Sequence, residues 1–188
     1  MVNEAAGPRF KRVGVPALSA DGRVVAYKAV DELGSEFIVV NGTKVSTSFE
    51  SVTDPAVSRD GKVVAYAAED DRPLLFVGER RIEIPQMPGS VFLSRDGAAW
   101  GTASRTAVAT AQGTSESFDE IRSPAFGPDG RSVIFAGRQG QTWFVVAGGR
   151  KFEAPGLVGD PVWSGGGKRI GYGALLGREL WWKVISVP

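Results

Sequence analysis

The sequence predicts an all-β fold, a closed five-bladed β-propeller with four antiparallel strands per blade, and three observations lead to it. The chain turns often, with 25 Gly in 188 residues against an ordinary 43% hydrophobic content. A five-fold repeat with spacings of 33 to 39 residues runs through it. Within each repeat, β-branched and aromatic runs alternate with residues that favour tight turns.

The repeat is clearest at five turn pairs: Asp21-Gly22, Asp60-Gly61, Asp96-Gly97, Asp129-Gly130 and Gly166-Gly167. Five positions before each pair stand Pro16, Pro55, Val91, Pro124 and Pro161, and two before it Ser19, Ser58, Ser94, Gly127 and Ser164. Six positions after it stand Tyr27, Tyr66, Thr102, Phe135 and Tyr172. Each anchor opens a strand such as Arg23 to Tyr27 or Lys62 to Tyr66. A second strand follows after a polar break: Glu36–Val40, Pro73–Val77, Thr106–Thr110, Thr142–Val146 and Leu180–Val184. Further turns such as Asn41-Gly42 accept the positive φ angles of hairpins and lead to a third, more polar run, for example Lys44 to Phe49. The segment from proline to anchor, such as Pro55 to Ser58, supplies the innermost strand. Four strands repeated about a centre describe a propeller, in which neighbouring blades bury each other's faces.

Phe10, Phe49 and Phe118 each stand eleven residues before an anchor. Arg9 to Val13 is therefore expected to be an outer strand with no blade of its own, while residues 161–187 supply only three strands. The N-terminal strand is expected to complete the last blade, closing the ring within one domain, residues 1–188.

The Ser-x-Asp-Gly-Arg/Lys-Val-Val-Ala-Tyr pattern after a proline, together with Phe118-Asp-Glu-Ile-Arg-Ser-Pro-Ala-Phe-Gly-Pro-Asp-Gly130, resembles the WD-repeat-like motif of TolB-type propellers. The resemblance runs from about Phe10 to Val187. It implies the propeller fold, a role in binding other molecules, and a periplasmic location for proteins of that type. Unlike TolB-type proteins, the chain is expected to have five units and no separate N-terminal domain.

Composition removes whole classes of chemistry. With no Cys and no His, the chain offers no disulfide framework, no zinc or haem site, and no Cys-His or Ser-His-Asp nucleophile. No cofactor and no metal are expected, and no enzymatic activity. A net charge of +1, from 22 basic and 21 acidic residues without a run of five like charges, points away from nucleic acid and from anionic membranes. No stretch of 18 apolar residues occurs and Met1 to Lys11 lacks a signal-peptide core, so the chain as written reads as cytoplasmic, without membrane insertion. A monomer is expected.

The anchor aspartates Asp21, Asp60, Asp96 and Asp129 each stand alone beside Gly, which suits a tight turn better than a calcium cage. Asp54 and Asp160 share a register just before the corner prolines and are candidates for the channel mouth; there a carboxylate pair would serve a glycosidase-like reaction, although blades two and five are not neighbours. Counting the innermost strand of each blade as the first, the loops between second and third strands form the candidate rim. Asp31, Glu32, Glu36, Glu69, Asp70, Asp71 and Arg72 line it in blades one and two. Arg105, Arg138, Gln139, Gln141, Arg178 and Glu179 line it in blades three to five. One acidic half and one basic half would orient a charged protein partner. Trp143, Trp163, Trp181 and Trp182 are expected to pack between blades. The leading expectation is a protein-binding scaffold; a small-molecule or saccharide binder is the alternative, and a glycosidase-like enzyme the third.

Overall fold

The computed structural model describes residues 9–157 and 159–187, and every regular element among them is a strand. The chain divides into two compact units, Met1–Val91 and Phe92–Pro188.

The first unit holds two sheets built alike. β1 (Arg12–Val13) and β2 (Ala17–Leu18) both pair with β3 (Val25–Val30), which pairs with β4 (Glu36–Val40) and through it with β5 (Thr43–Lys44). In the second sheet β6 (Ser51–Val52) and β7 (Ala56–Val57) pair with β8 (Val64–Glu69), followed by β9 (Pro73–Val77) and β10 (Arg80–Glu83). The second unit holds three. The third sheet is β11 (Ser90–Leu93), β12 (Trp100–Ala103), β13 (Val108–Thr110) and β14 (Gly113–Thr114); the fourth is β15 (Glu120–Phe126), β16 (Val133–Gln139), β17 (Thr142–Ala147) and β18 (Arg150–Glu153). Among the described residues the fifth has three strands, β19 (Val162–Trp163), β20 (Arg169–Leu176) and β21 (Glu179–Ser186).

The inner strands are longer than the sequence suggests, because the corner proline interrupts a strand instead of opening it. Val13 pairs with Ala29 and Ala17 with Ala26; Val52 pairs with Ala68 and Ala56 with Ala65. The inner strand carries one residue more than its partner over each interval, which is a β-bulge holding Pro16 or Pro55. Proline has no amide to give to the ladder, so the bulge is where a strand tolerates it. The fourth sheet repeats the device in β15, whose register shifts between Arg122 and Ala125 around Pro124, with Ser123 at φ 50°.

This geometry corrects the reading of the N-terminus. Arg12–Val13 is the first half of the first sheet's own inner strand, and among the described residues the fifth sheet contains no N-terminal strand. The repeat spacing misled because Phe49 and Phe118 stand where the chain passes from one sheet toward the next, and Phe10 shares only their distance from an anchor. Phe49 bridges to Glu36 at the edge of the first sheet while packing on Phe76 of the second. Phe10 packs on Phe37 and Tyr27. The polar third runs are also shorter than expected, with only Thr43–Lys44 and Gly113–Thr114 pairing as strands in the first and third sheets.

Alternation along each second strand sets two faces, here called near (Val25, Tyr27 and Ala29 in β3) and far (Ala26, Lys28 and Val30). In the first unit, Ile38 and Val40 on the first sheet's far face pack on Val52, Tyr66, Ala68 and Phe76 of the second sheet's near face. In the second unit, Ala103 and Val108 meet Phe118, Phe135 and Val146, and Ile134, Ala136, Val145 and Ala147 meet Ile170, Tyr172 and Ala174. Far face on near face is therefore the packing rule of the repeat.

The tryptophans depart from expectation. Trp181 and Trp182 do point to opposite faces, pairing with Ala174 and Gly173, yet both remain exposed. Trp143 is half-buried beneath the Arg122 guanidinium, 4.1 Å from its ring centre. Trp163 is half-buried, and its Nε1 is enclosed without a hydrogen-bond partner among the described residues.

Candidate functional site

The anchor turns are structural locks. Ser19 is buried; its hydroxyl donates to Asp21 Oδ1 at 2.6 Å and accepts the Val24 amide at 3.0 Å, while Asp21 Oδ1 also accepts the Arg23 amide at 3.1 Å. Ser58 with Asp60 and Ser94 with Asp96 repeat the arrangement. Gly22 and Gly61 hold φ of 69° and 76°, the left-handed conformation these turns require of their glycine. In the fourth repeat Gly127 has no hydroxyl, and Ser132 supplies one from across the turn, donating to Asp129 Oδ2 at 2.6 Å. The last repeat has Gly166 in place of the aspartate, and Ser164 Oγ still accepts the Arg169 amide at 3.2 Å.

These bonds hold the carboxyls below the ordinary aspartate range. For Asp21 the Ser19 hydroxyl acts most strongly and the Arg23 amide next; for Asp60 the Lys62 amide precedes the Ser58 hydroxyl. At Asp129 partial burial pulls upward, but the Ser132 hydroxyl and the amides of Arg131 and Ser132 outweigh it. A carboxyl lowered in the folded state contributes stability that is complete above the unfolded value, near pH 4, and is lost as pH falls through the folded value. Ser19→Ala should therefore lower the free energy of unfolding in urea by about 1 kcal/mol for the buried hydroxyl's bond to the Val24 amide, and by more at pH 7 than at pH 3. An equal loss at both pH values would show that the serine does not act through Asp21.

The rim residues fall into two groups. Several are occupied in holding the fold. Asp31 Oδ1 accepts the amides of Leu33 and Ser35 at 3.0 and 2.9 Å. Glu36 is largely enclosed; its Oε2 accepts the Val52 amide at 2.8 Å and lies 3.3 Å from Lys28 Nζ, and Arg12 reaches Oε1 at 3.4 Å. Asp70 accepts the Glu50 amide at 2.9 Å, and Arg72 pairs with Glu83 at 2.6 Å. Arg138 donates to the Gly140 carbonyl at 2.8 Å and to Glu120 at 3.4 Å, and Gln139 binds the Ser117 carbonyl and Lys151. The Arg122 hydrogen bond, at 2.8 Å, is the main reason the Glu120 carboxyl sits below its usual range.

The remaining rim residues are available. Glu32 and Asp71 in the first unit, and Arg105, Gln141, Arg178 and Glu179 in the second, are exposed and form no side-chain hydrogen bond or ion pair among the described residues. Glu69 is half-buried and likewise uncommitted. The uncommitted charges are thus Glu32, Glu69 and Asp71 in the first unit and Arg105, Arg178 and Glu179 in the second.

The channel-mouth candidates differ from each other. Asp54 Oδ1 accepts the Val15 amide at 3.2 Å and presses against Gly14, where any side chain would collide with it. Asp54 therefore holds the first sheet's bulge to the second sheet's. Asp160 is exposed and forms no hydrogen bond among the described residues. In the second unit, a groove of about 380 Å³ opens between the third and fourth sheets, walled by Val108 and Thr110 on one side and Val133, Phe135 and Val146 on the other, with Arg131 at its rim. No sequence signal marked it; it arises where β14, only two residues long, leaves the outer edge short.

No protein-family model matches the sequence, and no curated protein matches it. Among the similar solved structures are two TolB-type proteins and a checkpoint complex. A TolB from Acinetobacter baumannii aligns at TM-score 0.54 and 15% identity over 93% of this chain and 52% of its own. A TolB-type protein from Agrobacterium tumefaciens gives TM-score 0.54 and 15% identity over 93% of this chain and 77% of its own. A chain of a mitotic checkpoint complex gives 0.54 and 12% over 99% and 74%. The fold is of the β-propeller type. This chain spans about half the length of the Acinetobacter TolB. At these identities the likeness is one of fold, and a fold of this kind carries many functions.

Proposed function

We propose that the five sheets are consecutive blades of a propeller-type scaffold, without enzymatic activity, that docks a protein partner through the loops between second and third strands. The observation that carries this reading is the division of labour in those loops: Asp31, Glu36, Asp70 and Arg138 hold the fold, while Glu32, Asp71, Arg105 and Arg178 are exposed charges with no internal task. Exposed, uncommitted charges cost little to present and act mainly on partner orientation and association rate. The commitment of Asp54 to the Val15 amide argues against a catalytic carboxylate there.

Two double variants test the proposal, Glu32→Lys with Asp71→Lys and Arg105→Glu with Arg178→Glu. Each should leave the free energy of unfolding in urea within about 0.5 kcal/mol of the parent. Each should also reduce capture of a cross-linked partner about tenfold or more, with the loss shrinking at high salt. Undiminished capture by both variants rejects the rim as the docking surface. The groove between the third and fourth sheets favours a second reading, a small amphipathic ligand or saccharide, because its volume lies in the range of ligand pockets. Binding in a saccharide panel that Arg131→Ala abolishes would favour that reading over the first.

A further inference from the structure

The fifth sheet ends differently from the other four. Their outer strands are short, β5 and β14 with two residues and β10 and β18 with four. Each flanks the strand before it, as β18 flanks β17. β21 holds the place of β17, with Trp182 where β17 has Val145, and runs for eight residues with no strand beside its outer edge among the described residues. An unpaired edge of that length is a template for another strand. The edge belongs to the fifth sheet alone, whatever lies against the faces of that sheet.

The pairing with β20 determines which backbone groups the edge offers. The Val187 amide donates to the Lys168 carbonyl at 2.9 Å, so in this register the odd-numbered residues of β21 turn their amides and carbonyls toward β20. Leu180, Trp182 and Val184 turn theirs outward. Their side chains share the far face and are 76%, 66% and 54% exposed. Glu179, Trp181 and Lys183 share the near face, where the Lys183 ammonium stands 5.1 Å from the centre of the Trp181 ring.

A lysine in the middle of an edge ordinarily keeps other strands away. Here Glu179 supplies the opposite charge in one antiparallel register. Two copies of β21 centred on Trp181 place Glu179 of each opposite Lys183 of the other and Leu180 opposite Trp182. Trp181 then faces its own copy at a site without backbone bonds, where cross-strand side chains come closest. Centring on Trp182 instead sets Glu179 against Ile185, and centring on Lys183 sets two ammonium groups together.

We propose that β21 pairs antiparallel with β21 of a second copy of this chain, about a two-fold axis at Trp181. Opposite charges and aromatic pairs across strands stabilise such a ladder. The contact is isologous and uses the free edge of both copies, so assembly stops at two chains. It departs from the monomer expected from the sequence. It also goes beyond the docking proposal, whose variants alter no residue of β21.

Light scattering after gel filtration of the full chain, from about 1 μM to about 100 μM, tests it. The parent should pass from one 19.9 kDa chain toward two and no further. Glu179→Lys and Lys183→Glu should each weaken association about tenfold or more, because each sets like charges opposite one another at both ends of the ladder. An equimolar mixture of the two variants should recover pairing, and so should one chain carrying both changes, since opposite charges then meet again. Leu180→Pro removes an outward amide that β20 does not use and should abolish pairing; far-UV circular dichroism verifies that each variant is folded. A parent that stays monomeric throughout overturns the proposal, as does assembly that grows past two chains. So does a mixture that associates no better than its components, or a folded Leu180→Pro that still pairs. If capture through the rim fails while these variants behave as described, only the docking reading falls.

Discussion

Replacing Glu36 with alanine should destabilise the first unit by about 3 kcal/mol. The carboxylate receives the Val52 amide at 2.8 Å and stands 3.3 Å from Lys28 Nζ, in a site where its side chain is 13% exposed. Its removal strands a buried amide without an acceptor and leaves a half-buried ammonium without its counter-charge, and each loss costs on the order of 1 to 3 kcal/mol. Glu36→Gln should fall between, because the amide oxygen still accepts from Val52 while the charge is gone. Urea unfolding followed by circular dichroism reads both. A Glu36→Ala loss under about 1 kcal/mol would mean that the residue is a solvated rim charge after all.

Gly137→Val should cost the second unit about 3 kcal/mol by overpacking. A methyl at Gly137 would lie 2.6 Å from Phe118 Cδ1, and Phe118 is buried against Phe135 with ring centres 5.4 Å apart. The ring is held on both sides and cannot move aside, so the added side chain displaces the strand. The same pairing of aromatic over glycine recurs at Phe92 on Gly101, where the close approach likewise needs a missing side chain. The companion variant Gly140→Ala should cost only the strain of its φ of 61°, about 1 kcal/mol, since nothing lies within 4 Å of its absent side chain. Comparable losses at the two positions would deny that Phe118 is the cause.

Much of the fold was legible in the residues. The Ser-x-Asp-Gly anchors appear as turns with the same bonds at Ser19, Ser58 and Ser94, because the chemistry is local: a hydroxyl, a carboxylate and an amide within a few residues. Pattern alternation marked the strands for the same reason. The inner strands were misjudged at the prolines, since a proline reads as a boundary unless the partner strand is known, and only the pairing of Val52 with Ala68 reveals a bulge. The rim was half legible. Glu36 and Glu32 look alike in sequence, yet one accepts an amide sixteen residues away and the other has no partner among the described residues.

The sequence by itself determined that this chain is all β, that it repeats five times, and that its turns are closed by serine and aspartate, because those properties depend on spacing and on bonds between near neighbours. Which charges are spent on the fold, where Arg12–Val13 pairs, and that Trp182 lies open while Val145 is covered were decided by the tertiary structure. Burial and pairing are relations between residues far apart in the chain, and no single segment carries them.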